Sequence, residues 1–289
     1  MRNLFVLTFL IFFIPFTASA RLLSEQELTV TRSAAEEGDK MAQFNLALAY
    51  QNGEGVDTNL EEALFWFTRA AEAGLPEAQY NLGYLYQRGD GVNVDAAIAA
   101  GWYRKAAEQG MAQAQFHLAE LYENGDGVPQ DDATAVHWYQ QAAKQGNAAA
   151  KFNLANLYFA GRGTNRDLRE AARLFREAAE QGEVGALCNL GNLYAEPGPL
   201  QNESEAMACY RRGAALGDAN AQFNIGLFYQ SGRAVLADPV KALAWFEIAA
   251  ENGSGDGAKA AEELKTKLSP TELAMADSEI DTIRRELQP

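Results

Sequence analysis

The chain has 289 residues, of which 48% are hydrophobic, and a formal net charge of −15. A balance this acidic repels phosphate backbones and disfavours nucleic-acid binding; it favours solubility and cationic partners without identifying one. The length alone would suit one or two globular domains, but the pattern along the chain is not that of a globular core.

The first predicted element is an export leader, residues 1–20. Arg2 gives a positive start, Leu4–Phe16 an apolar run, and Ala18-Ser19-Ala20 a small-x-small cleavage site that puts Arg21 at the mature terminus. The run is shorter than the ~20 residues of a spanning helix, so a membrane anchor is the lesser reading. No cysteine follows it, which argues against a lipid-modified terminus. Removing the leader takes away Arg2 and makes the net charge one unit more negative. The chain is therefore expected to be exported, to the periplasm or beyond it, with no membrane span left after cleavage.

A capping helix is predicted next, over Glu25–Glu37 within residues 21–41. Its end, SAAEEG at Ser33–Gly38, repeats 36 residues later at Gly74. From Ala42 the chain becomes periodic. Taking Ala42 as position 1, the units are 42–77, 78–113, 114–149, 150–185, 186–220 and 221–257. A fixed period of this size predicts an all-α fold, an α/α solenoid of stacked antiparallel hairpins. Each unit opens with a helix such as AQFNLALAY, whose small, aliphatic and Tyr positions fall on one stripe. A glycine turn ends it, as YQNGEGV at Tyr50–Val56 and YENGDGV at Tyr122–Val128. A second helix follows, often begun by an acid such as Asp131 or Asp132, with an aromatic pair at positions 25–26. All four Trp (Trp66, Trp102, Trp138, Trp245) fall at position 25, which marks them as core.

The turns resemble calcium loops only in vocabulary. Their acids do not follow the ligand order of such a loop, and the fourth copy, YFAGRGT at Tyr158–Thr164, puts Arg in place of acid. No strand precedes the Gly-x-Gly, so a nucleotide loop does not fit either. No metal and no cofactor are expected. The only two histidines, His117 and His137, lie in one hairpin with no Cys/His ligand spacing around them, and no nucleophile motif appears.

The chain closes over residues 258–289 with two capping helices. Ala258–Leu268 begins like a repeat; SPTE at Ser269–Glu272 then supplies an N-cap Ser, a Pro at N1 and a Glu at N3. Leu273, Ala276, Ile280, Ile283 and Leu287 fall on one face of the last helix.

Unit five departs from the others. It is one residue short; Cys188 stands at position 3, where the other units have Phe or Tyr, and Cys209 at position 25, the Trp position. The reading is a disulfide between the two helices of that hairpin, allowed by export into an oxidising compartment; two buried free thiols are the alternative. Unit four is basic, with Lys151, Arg162, Arg166, Arg169, Arg173 and Arg176, and is expected to pair with neighbouring acids, docking of an acidic partner being the alternative. The Asn series at position 4 (Asn45, Asn81, Asn153, Asn189, Asn224) is expected to tie neighbouring repeats together, with contact to a peptide backbone as the alternative.

These repeats closely resemble the Sel-1-like repeat (SLR) family, a relative of the tetratricopeptide repeats, with the pattern AQ-aromatic-N-L-G-x-x-Y-x-x-G-x-G-V followed by A-x-x-W-aromatic-x-x-A-A-x-x-G. The resemblance implies a right-handed superhelix acting as a non-catalytic protein-binding scaffold, monomeric, with a groove lined by the first helix of each unit. The variable positions 7 and 10 of that helix would then carry specificity: Leu48, Gln51, Tyr84, Gln87, Glu120, Glu123, Asn156, Phe159 and Asn192. Tyr84 and Phe159 would anchor a partner protein or peptide, and Glu120 and Glu123 would select a cationic one. The alternatives are an envelope hydrolase or peptidoglycan-binding factor, and a secreted host-interacting protein.

Overall fold

The computed structural model describes residues 24–287; the expected leader lies outside them. Among the described residues there are fifteen α-helices and no strand, and the fold is an α/α solenoid of antiparallel hairpins. The described chain divides into two compact units, residues 24–102 and 103–287. The first holds α1 (Glu25–Glu36), α2 (Lys40–Asn52), α3 (Leu60–Glu72), α4 (Pro76–Arg88) and the start of α5 (Ala96–Glu108). The second continues with α6 (Ala112–Asn124), α7 (Asp132–Lys144), α8 (Ala148–Ala160), α9 (Leu168–Glu180), α10 (Val184–Ala195), α11 (Glu203–Ala215), α12 (Ala219–Ser231), α13 (Pro239–Glu251), α14 (Gly255–Lys265) and α15 (Pro270–Leu287). From α1 to α4, and again from α6 to α14, each helix packs on the next, while α15 returns to α13.

Local chemistry sets these boundaries. Asn59, Asp131, Asp167, Asn202 and Asp238 cap the second helices; the Asp131 carboxylate, for example, accepts the N–H groups of Ala133 and Thr134 at 3.0 and 3.1 Å. Each such cap stabilises its helix by about 1 kcal/mol. The first helices end at Gly53, Gly89, Gly125, Gly161 and Gly232, all with φ between 70° and 80°. A side chain is strained in that region. At Gly163, the second glycine of its turn, a Cβ would also run into the Asp132 backbone of the preceding hairpin. At the C-terminus, Ser269 and Glu272 close a reciprocal capping box: Ser269 N–H donates to Glu272 Oε2 at 2.8 Å, and Glu272 N–H donates to Ser269 Oγ at 3.3 Å. Ala276, Ile280 and Ile283 of α15 are buried, with Leu273 and Leu287 packed beside them.

The core is organised around position 26 rather than the Trp position. Phe67, Tyr103, Tyr139, Phe175, Tyr210 and Phe246 are the six largest fully buried side chains among the described residues. Each stands one residue after position 25. Trp66 and Trp245 are buried as expected, but Trp102 and Trp138 are only half-buried. Burying a ring of this size contributes ~1.5–3 kcal/mol. In four hairpins the position-26 ring meets the position-3 ring of the same hairpin: Phe44–Phe67 at 5.7 Å, Phe116–Tyr139 and Phe152–Phe175 at 5.9 Å, Phe223–Phe246 at 5.5 Å. Position 6 must stay small to seat that ring. It is Ala47, Gly83, Ala119, Ala155, Gly191 and Gly226. A Cβ on Gly191 or Gly226 would come within 2.5 Å of the Tyr210 or Phe246 ring.

A buried glutamine at position 2 joins four of the six hairpins to the helix before it. Gln43, Gln79, Gln115 and Gln222 donate from Nε2 to the carbonyls of Ala35, Ala71, Ala107 and Ala214, at 3.1, 3.0, 3.1 and 3.3 Å. Those carbonyls sit near the ends of second helices, where orphan acceptors need partners. The amide oxygen also needs a donor. Gln145 Nε2 supplies one to Gln115 at 2.8 Å, and Asn252 Nδ2 supplies one to Gln222 at 3.0 Å, both from position 32. Position 32 of the first hairpin is the exposed Ala73, and Gln43 Oε1 is buried with no hydrogen-bond partner. Ala73→Gln is therefore predicted to stabilise the protein by about 1 kcal/mol, read as a higher urea midpoint; an unchanged or lower midpoint would contradict this.

Candidate functional site

The variable positions singled out on the first helices are half-buried, except the exposed Asn192, and most are already engaged. In the first unit, Leu48 is half-buried against the core around Leu46 and Phe67. Tyr84 OH accepts from Arg88 Nη1 at 2.9 Å, with the guanidinium 5.4 Å over its ring. Gln51 and Gln87 are half-buried at the same helix ends.

In the second unit these positions form part of a polar ladder. His117 Nδ1 lies 2.9 Å from Glu120 Oε2, and its ring stacks on Tyr103 with centroids 5.4 Å apart. Tyr139 OH donates to Glu123 Oε2 at 2.9 Å and accepts from Asn153 Nδ2 at 3.0 Å. Burial, followed by the Glu123 charge, pushes the Tyr139 phenol well above its ordinary pKa, so it remains a donor. Asn189 Nδ2 donates to Asn156 Oδ1 at 2.9 Å. Asn192 Oδ1 accepts from Tyr210 OH at 2.8 Å and from Asn224 Nδ2 at 3.0 Å. The Asn residues of α8, α10 and α12 thus join neighbouring hairpins through the residues expected to face a partner. The Nδ2 groups of Asn156 and Asn192 have no partner among the described residues.

The charges expected to select a partner are largely satisfied within the chain. Glu123 pairs with Arg162 at 3.2 Å, and Arg162 also holds Asp132 at 2.7 Å. Arg166 lies over the Phe159 ring at 5.5 Å and pairs with Glu196 at 3.0 Å. Lys151 takes the position-2 place of glutamine and pairs with Glu177 at 3.1 Å; Arg173 pairs with Glu170 and Glu177. The basic stretch of unit four is thus cross-linked to neighbouring acids, as expected. Arg occupies the middle of the turn twice, at Arg162 and Arg233, and both times it reaches back to the preceding hairpin. Arg233 Nε meets Glu203 at 2.7 Å and Nη2 donates to the Ala195 carbonyl at 2.6 Å.

Two clefts open on this face, one at each end of α10. At its C-terminal end, the usual glycine turn is replaced by EPGPL (Glu196–Leu200), and a cleft of about 380 Å³ lies among Asn192, Pro197, Asn224, Leu227 and Arg233. The residue after Arg233, Ala234, is the one non-glycine with positive φ among the described residues, at 57°. At the N-terminal end, a cleft of about 420 Å³ lies among Phe152, Cys188, Asn189, Leu216 and Asp218. Neither histidine lines either cleft, and no three of His, Cys, Asp and Glu converge as a metal group among the described residues.

The expected bridge between Cys188 and Cys209 is corrected: both are buried free thiols. The two side chains serve different packing clusters. Cys209 packs with Phe175, Leu190 and Leu193, whereas Cys188 packs with Met207, Tyr210 and Phe228 and accepts from Asn224 Nδ2 at 3.4 Å. Burial pushes the Cys188 thiol up to about 12, with the Asp218 charge adding to it; burial also raises Cys209. Buried, protonated thiols are poor nucleophiles. Neither cysteine is predicted to react with a thiol reagent at pH 8 in the native protein, and both are predicted to react after denaturation without reductant. A chain with no titratable thiol under those conditions would restore the bridge.

The Sel1 repeat family model matches residues 40–75, 76–111, 112–147, 148–183, 184–218 and 219–254, a register two residues earlier than the numbering from Ala42. Among solved structures, the chain is similar to a protective antigen of uropathogenic Escherichia coli strains that displays an SLR fold. The identity is 34% and the TM-score 0.74, over 86% of this chain and 54% of that one, so this chain spans about half the antigen's length. It is also similar to a Sel1 repeat protein from Oxalobacter formigenes, at 33% identity and a TM-score of 0.66, over 76% of this chain and 88% of that one.

Proposed function

The chain belongs to the Sel1 repeat family, and from that premise we propose that it is a non-catalytic scaffold holding a partner protein or peptide on its first-helix face. Sel1 repeat proteins generally act as protein-interaction scaffolds, and their fold is typically non-catalytic. The observation that carries the reading here is the asparagine ladder of α8, α10 and α12, with its unclaimed Nδ2 donors and a cleft at each end of α10. Side-chain amides in a row offer donors to the backbone carbonyls of a bound segment, and the clefts offer places for its side chains. Catalysis finds less support: the histidines lie outside both clefts, and the thiols beside Tyr210 and Phe175 are held protonated.

The proposed location is the periplasm or the extracellular space, on the strength of the apolar leader at residues 1–20. No described helix is long and apolar enough to cross a membrane. The chain is proposed to work as a monomer. The likeness to a protein described as a protective antigen favours, as a second reading, a role outside the cell in contact with a host.

Site-directed photo-crosslinking tests the face directly. A benzoylphenylalanine at Leu227, exposed on α12, is compared in intact cells of the source organism with one at Arg212, exposed on α11. The expected result is a discrete protein adduct from Leu227 and none from Arg212. Equal labelling from both, or none from Leu227, would contradict the proposed face.

A further inference from the structure

Five repeats carry an aromatic at position 3: Phe44, Tyr80, Phe116, Phe152 and Phe223. The fifth repeat has Cys188 there, and a cleft of about 420 Å³ lies beside it. Tyr210, deprived of its partner within the hairpin, packs edge-on against Phe228 of the next repeat at 5.4 Å instead.

The lining of this cleft has a definite chemical sense. Phe152, Val184 and Leu216 give apolar walls, and Leu216 is 59% exposed. Asp218 caps α12 with Oδ1, which accepts from Asn220 and Ala221 N–H at 2.9 and 3.2 Å; its Oδ2 has no partner among the described residues. Asn189 donates from Nδ2 to Asn156, leaving Oδ1 without a donor. No lysine or arginine lines the cleft. The Cys188 thiol stays neutral, so Asp218 carries the formal charge among the side chains that line the cleft.

We propose that this cleft receives an arginine or lysine side chain carried on an exposed segment of the partner protein. The inference rests on the scaffold reading above and names one contact within it. The aliphatic stem of such a side chain would lie along Leu216 and Val184, and its N–H groups would meet the oxygens of Asp218 and Asn189. The face of Phe152 would add a cation–π contact. An anionic group is repelled here, and a purely apolar one would desolvate the Asp218 carboxylate without replacing its hydrogen bonds.

The test uses the full mature chain and capped heptapeptides, Gly-Ser-Gly-X-Gly-Ser-Gly, with X as arginine, lysine, citrulline or leucine, titrated by NMR. Arginine and lysine peptides are expected to shift the amides of Asn189 and Asp218, and the citrulline and leucine peptides to bind at least about fivefold more weakly. Asp218→Asn keeps a capping side chain on α12, removes the charge, and is expected to weaken the arginine peptide by a similar factor. Cys188→Phe restores the ring that other repeats carry, and is expected to abolish the shifts. Thermal melts check that both variants fold, and either variant alone suffices. Citrulline or leucine binding as well as arginine, arginine binding indifferent to the folded variants, or no arginine binding at all would overturn the proposal. If arginine peptides fail while the Leu227 crosslink persists, this contact falls and the scaffold reading stands.

Discussion

The interaction on which the rest depends is a ring set onto a small residue. The position-26 aromatic of each second helix rests where the first helix has only Gly or Ala at position 6, as Tyr210 rests against Gly191 and Phe246 against Gly226. Close helix approach and ring burial are therefore one constraint: a larger residue at position 6 would drive the helices apart, and a smaller one at position 26 would leave a cavity. A lone hairpin would leave much of this surface exposed, so burial requires neighbours. The glutamines at position 2 then fix how one hairpin follows the next, because Gln115 must meet the Ala107 carbonyl and Gln222 the Ala214 carbonyl. Apolar packing supplies the larger share of stability, and the buried amides supply register.

The proposed function rests on departures from the repeat rather than on the repeat. Where the rule holds, positions 3, 6 and 26 close the hairpin and leave little room. The fifth repeat breaks it three times, with Cys188 for a ring, Cys209 at position 25, the Trp position, and Glu196-Pro197-Gly198-Pro199 for the glycine turn. The two clefts open at the two ends of the same helix, α10, and both touch the asparagine ladder. Asn192 is exposed yet accepts from both Tyr210 and Asn224, so the face a partner would meet is stiffened by bonds between hairpins. Such a surface loses little side-chain freedom on binding.

Much of this was legible in the sequence because it is local. The helices, the glycine C-caps and the Ser269–Glu272 capping box are read from neighbours three or four residues apart. The choice between positions 25 and 26 was not legible in that way. Both are aromatic, they are adjacent, and Trp is the more conspicuous residue; only the tertiary fit shows that Phe67 and Tyr139 are more deeply buried than Trp66 and Trp138. The role of the position-2 glutamines was not legible because their partner is a backbone carbonyl, which no side-chain pattern reveals. Aligning Cys188 with Cys209 placed both in one hairpin but gave no direction for either side chain, and they belong to different clusters. Of the nine residues proposed for the partner face, Glu123, Asn156 and Asn192 have internal roles that variability alone did not suggest. Arg162 was visible as a departure from acid in its turn, but its partner, Asp132, lies thirty residues away.

The central claim, that the position-26 ring rather than the tryptophan organises each hairpin, is tested most directly by urea denaturation of Phe175→Ala beside Trp138→Ala. Phe175 is fully buried and Trp138 half-buried. The account predicts a loss of about 3–5 kcal/mol for Phe175→Ala and less than half of that for Trp138→Ala. A Trp138→Ala loss equal to or greater than that of Phe175→Ala would contradict it.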